Sequence, residues 1–202
     1  MKQILTVLMT LALSFFMSTC TLAPETPAPD YLKLMADAAV KADMDTGRQA
    51  EYEYRAHLAE LGAEDSAISF DDLFLLAKFI HSQSGRFPIS EDFKMCVGEV
   101  VLNRVESREF PDTIAEVIYQ DGQFEGVHGE DFQCHTIPPR DCVDIALRLL
   151  RGERLLAPHV VHFSAEPETE VYATFCDRQQ NFTYFYESEY PRFYHLPNKK
   201  ST

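Results

Sequence analysis

Tyr119, Gln120, Gln123 and Phe124 flank an Asp121-Gly122 turn. An amide both donates and accepts hydrogen bonds, and an aromatic ring offers a flat apolar face. Gathered at a helix end by a sharp turn, these four predict the edge of a ligand groove. Proton chemistry at such an edge needs a carboxyl or an imidazole. Glu99 is the lone acid in an otherwise apolar helical run and lies four residues before Asn103, so the two share a face. It reads as a cleft acid or, more plainly, as a solvated position beside Arg104. Glu91 and Asp92 suit the positive end of a helix dipole better than a groove. Glu125 follows the edge directly and has the ordinary reading of a loop carboxylate. His81 reads as structural and His128 as loop decoration.

The elements that must carry these residues are written around 95–124. Phe93, Cys96, Val97, Val100 and Val101 recur at spacings of three and four, which predicts a helix with one buried face, N-capped by Ser90 and ended by Ser107. Phe110-Pro111 breaks the chain, and Asp112 is placed to cap a short helix with Ile114, Val117 and Ile118 as its stripe. Upstream, Ser69 opens a helix carrying Leu73, Leu76, Ala77 and Ile80 that runs to about Gln83, followed by a Ser-Gly-Arg-Phe-Pro loop. Downstream, 125–139 lacks an apolar period and reads as a surface loop. A further helix spans 139–151 and stops at Gly152. Residues 160–163 and 182–186 are rich in strand formers, so a small antiparallel sheet or hairpin closes the chain. The fold class is α+β and mostly helical.

The 202 residues allow one domain with a real core plus appendages, and the formal charge of −14 excludes the basic stripes that nucleic acid or anionic lipid would require. Residues 1–23 have a basic start, a short apolar core and a small-residue end at Thr21-Leu22-Ala23, the pattern of an export signal. Cys20 offers lipid anchoring as the alternative, and this or the signal is the only membrane link expected. Residues 24–30 form a Pro-rich linker, 31–62 an alanine-rich helical spacer that Gly47 can divide, and 69–196 the functional domain. Export would leave Cys96, Cys134, Cys142 and Cys176 in the mature chain, open to three pairings or, for Cys96 and Cys142, to burial as plain thiols. His128, Cys134 and His135 match no standard zinc spacing, so no metal and no cofactor are expected.

The sequence VVLNRV at 100–105 followed by FPDTIAEVIYQDGQF at 110–124 resembles the SleB-type cell wall hydrolases, the family of spore-cortex-lytic enzymes. The resemblance extends over about 73–186. It takes in LFLLAKFIHSQ at 73–83 and, more loosely, VVHFSAE at 160–166 and FTYFY at 182–186. It implies a lysozyme-like fold, peptidoglycan glycan strands as the partner, and cleavage by lytic transglycosylation. It also implies a catalytic Glu in a Tyr-x-Glu-Ala pattern at the end of the helix matching 73–83. This chain has His81-Ser82-Gln83-Ser84 there. An amide cannot deliver the proton that the departing oxygen needs, so Gln83 leaves two expectations standing: a hydrolase whose catalytic position is altered, and a non-catalytic peptidoglycan-binding pseudoenzyme. The substrate contacts expected are Tyr119, Gln120, Gln123 and Phe124, and the resemblance to the family's histidine-containing strand adds His162, whose equal alternative is packing at the core edge.

Overall fold

The computed structural model describes residues 29–84, 90–165, 171–177, 183–187 and 193–196. Residues 1–28, on which the expected export signal, Cys20 and most of the expected linker fall, and residues 85–89 lie outside the described residues.

Helix α1, Tyr31–Ala39, and α2, Met44–Glu60, begin at Asp30 and Asp43, whose carboxylates accept the Lys33 and Thr46 N–H groups. The division falls at 40–43 and not at Gly47, because Asp43 supplies a new cap. Gly47 has a packing reason instead: a Cβ there would lie 2.1 Å from the Phe70 ring. Both helices contribute side chains to the core. Met35, Ala36, Ala38, Ala39 and Ala50 are buried in the same cluster as the rest of the core. Small side chains let α1 lie close to its neighbours, so the alanines that suggested an inert rod are packing residues. Gly62, at φ 68°, closes α2 as its left-handed C-terminal residue.

Helix α3, Phe70–Ser84, starts with Ser69 Oγ accepting the Asp72 N–H, while Glu51 of α2 reaches across to accept the Phe70 N–H at 2.7 Å. Helix α4, Glu91–Val105, is capped by Ser90 as its sequence indicates. It is not a one-faced helix, however. Every residue from Met95 to Arg104 is buried, so α4 is the central strut of the molecule. The short α5, Ile114–Ile118, is capped by Thr113 Oγ1 and not by Asp112. The loop beyond it contains one π-helical turn, Asp131–His135, whose Phe132 is buried. Helix α6, Arg140–Leu150, completes the helical layer, packing on α1, α3 and α4.

Four antiparallel strands follow in sequential order: β1 His162–Ala165, β2 Val171–Cys176, β3 Thr183–Glu187 and β4 Phe193–Leu196. His162 pairs with Cys176, Cys176 with Thr183, and Thr183 with Leu196. Phe175 joins this sheet to the helices, its ring 5.7 Å from Phe93 and 5.9 Å from Phe163. The fold is therefore α+β, mostly helical with a small antiparallel sheet.

Candidate functional site

Three polar residues on α4 bind one stretch of main chain. Glu99, 0% exposed, accepts the Leu155 N–H at 2.7 Å and the Leu156 N–H at 2.9 Å. Asn103 donates to the Ala157 and Val160 carbonyls at 3.1 and 2.9 Å. Arg104 Nε donates to the Val161 carbonyl at 2.6 Å, and Nη2 donates to His162 Nδ1 at 3.2 Å. The strap 155–162 is thereby laid along α4, and its end becomes β1.

Arg104 is 2% exposed, and its guanidinium carbon lies 4.9 Å from the centre of the Phe110 ring and 4.5 Å from that of Phe124. Burial lowers its pKa to about 10, so it stays charged at neutral pH. Its Nη1 has no hydrogen-bond partner among the described residues. The flat cation thus lies against two aromatic rings and fixes the position of both.

Phe124 is a packing residue of the edge. It meets Phe79 of α3 edge-on at 4.6 Å and stacks on Phe163 at 6.1 Å. Tyr119 is half-buried, 6.1 Å from both His128 and Phe132, and burial raises its hydroxyl above the ordinary value. Gln120 buries Oε1 without a partner, whereas Gln123 is exposed. Lys78, missed in the sequence, pins the loop opposite: its ammonium lies 4.8 Å from the Phe132 ring centre and donates to the Gln133 carbonyl at 3.0 Å. A single lysine between Ala77 and Phe79 in the apolar run 73–80 was the signal available.

Gln83 ends α3 at this edge. Its Nε2 donates to the Glu125 carbonyl at 3.2 Å and to Ser82 Oγ at 3.4 Å. Gln83, Phe124 and Glu125 are therefore brought together. Tyr119 faces the 128–132 loop, and His162 joins the edge through Arg104. Glu99 stands apart with both oxygens occupied. It is neither solvated nor beside a groove, because its carboxylate is enclosed by α4 and the strap. Burial raises its pKa, against the pull of the two N–H groups and of Arg154. Glu91 is ion-paired with Arg148, and Asp92 sits exposed on the first turn of α4.

Two cavities among the described residues lie away from this edge. One of about 540 Å³ opens beside Val105, Arg108, Phe110 and Glu116. Another of about 260 Å³ is lined by the Glu91–Arg148 and Lys94–Asp141 ion pairs, which satisfy one another. Among the described residues no three His, Cys, Asp or Glu side chains gather as a metal site. The thiols of Cys96, Cys134, Cys142 and Cys176 are free, so a disulfide is not part of the site.

The strap-binding helix, the aromatic edge and the sheet all fall within one stretch of chain. Residues 90–187 match the Cell Wall Hydrolase family. The match covers just under half of the chain and takes in Asn103, Arg104, the 119–125 edge and His162. The matched segment thus holds α4, the strap and the 119–125 edge, while Gln83 on α3 precedes it. No curated protein and no solved structure matches the chain significantly.

Proposed function

We propose that the protein binds the glycan strands of peptidoglycan and cleaves them by lytic transglycosylation, in the manner of SleB-type enzymes with a lysozyme-like architecture. In this reading Gln83 occupies the position of the family's catalytic acid. The observation that carries the reading is the 3.2 Å bond from the Gln83 amide to the Glu125 carbonyl. An ionised carboxylate at that place would face a carbonyl oxygen, lone pair against lone pair, whereas a protonated one would donate to it. The position therefore favours a neutral carboxyl, which is what a general acid requires. Gln83 keeps the hydrogen bond of such an acid without its transferable proton. Loss of that proton costs typically about 10²- to 10⁴-fold in rate.

The exposed Gln123 and the half-buried Tyr119 supply contacts suited to sugar hydroxyls, acetamido groups and ring faces. Such a substrate places the protein outside the cytoplasm or in the envelope, in keeping with the signal-like residues 1–23. Phe124 serves this site by holding the edge rigid, and Glu99 by holding the strap that ends in His162.

A second reading draws on the same bond. Because the amide is fully at home against the Glu125 carbonyl, the groove also suits a module that binds glycan without cutting it. Incubating the purified protein with peptidoglycan sacculi separates the two. Cleavage releases soluble muropeptides with anhydro ends, and binding alone carries the protein into the pellet. A protein that does neither contradicts both readings.

A further inference from the structure

We propose that Glu125 supplies the proton that Gln83 cannot, so that the acid has moved from the end of α3 to the turn facing it. This rests on the glycan-strand reading above. Of the other carboxylates around the edge, Glu91 is held by Arg148, Glu99 by the strap, and Asp121 faces His128 across 3.6 Å. Glu125 is exposed, and its carboxylate makes no hydrogen bond or ion pair among the described residues. Its carbonyl is the group that Gln83 touches. Its carboxyl therefore lies within roughly 10 Å of the Gln83 amide, about the span over which paired glycosidase carboxyls serve one scissile bond.

The backbone at Glu125 is also unusually well fixed for a loop. Phe124 on one side is locked by Phe79, Arg104 and Phe163. Gly126 on the other turns the chain at φ 81°, a conformation that other residues rarely adopt. A free carboxyl on a fixed pivot is well suited to meet a ligand laid across Gln83.

The step balances without a further reactant. The Glu125 carboxyl gives its proton to the glycosidic oxygen as the bond from that oxygen to the anomeric carbon breaks. The C6 hydroxyl of the same sugar then closes on the anomeric carbon, forming the anhydro ring, and its proton returns to the Glu125 carboxylate. No water is consumed and nothing is oxidised or reduced. The Gln83 amide holds the turn through its N–H group.

The test compares muropeptide release and sacculus pelleting by full-length wild type, Glu125→Gln and the double variant Gln83→Glu/Glu125→Gln, each shown folded by thermal melting. Release by the wild type that falls at least about 100-fold in Glu125→Gln, with pelleting unchanged and release restored in the double variant, is the expected result. Equal release by wild type and Glu125→Gln overturns the assignment. So does a wild type that pellets but releases nothing, which leaves glycan recognition standing. A wild type that neither pellets nor releases overturns the glycan-strand reading itself, and this assignment with it.

Discussion

Glu99 and Leu155 are joined by a 2.7 Å hydrogen bond in which a fully buried carboxylate accepts a main-chain N–H. The second oxygen accepts from Leu156, so a carboxyl group in the middle of the core fixes the strap that leads into β1. Replacing Glu99 by Gln leaves one of the two N–H groups without its acceptor and should cost about 1–3 kcal/mol. The pH dependence has a definite sign. Burial raises the Glu99 pKa above the ordinary 4.5, so its contribution to stability is complete below that value and is lost as pH rises through the folded-state value. The melting-temperature advantage of wild type over Glu99→Gln should therefore shrink between pH 4 and pH 7. An advantage that grows over this range would show a carboxyl lowered, not raised, by its surroundings.

Arg104 has only donors, so its bond to His162 makes Nδ1 the acceptor and puts the ring proton on Nε2. Nitrogen NMR of the folded protein should show His162 as this single neutral tautomer at a pH where the ring is uncharged. In Arg104→Met the preference should relax, and loss of the donor to the Val161 carbonyl should cost about 1–3 kcal/mol. A mixture of tautomers in the wild type would contradict the contact.

How much of this was legible in the sequence depends on whether a residue's partner is near in the chain. Ser90 and Ser69 were readable as caps because the N–H groups they accept are three residues away. The α3 and α4 helices were readable from their apolar spacing, and Glu99 and Asn103 from their four-residue separation as sharing a face. What they face was not readable, since Leu155 and Val160 are more than fifty residues distant. For the same reason Arg104 passed as a neighbour of Glu99 when it is a clamp for Phe110, Phe124 and His162. The unbroken burial of α4 was hidden because Glu99, Asn103 and Arg104 look like a polar face until main-chain partners are found for them. At the candidate site, Gln83 and Glu125 could each be singled out, but only the fold sets one against the other.

Gly47 is a second case in which the local reading and the tertiary reason differ. Gly47→Ala should raise the intrinsic helix propensity of α2 and yet destabilise the protein by about 1–3 kcal/mol, because the added methyl group meets the Phe70 ring. Thermal melting distinguishes the outcomes. A rise in melting temperature would mean that α2 does not pack on Phe70 as closely as the structure has it.

The cysteines divide by exposure. Burial pushes the Cys142 thiol up to about 12 and the Cys96 thiol above the ordinary thiol range, and both side chains are enclosed. Cys176 is half-buried and also raised by burial, whereas Cys134 is exposed. Alkylation of the folded protein near neutral pH, followed by peptide mapping, should modify Cys134 well before the other three. Equal labelling of Cys96 and Cys134 would contradict the packing of α4.

The central claim is that the end of α3 is an acid position held by an amide. The most direct measurement is the rate of muropeptide release from sacculi by Gln83→Glu/Glu125→Gln relative to Glu125→Gln, a background in which no acid remains at the turn. An added carboxyl facing the Glu125 carbonyl should raise that rate by about 10²-fold or more, with anhydro ends among the products. An unchanged rate in a folded variant that still binds sacculi would contradict the claim.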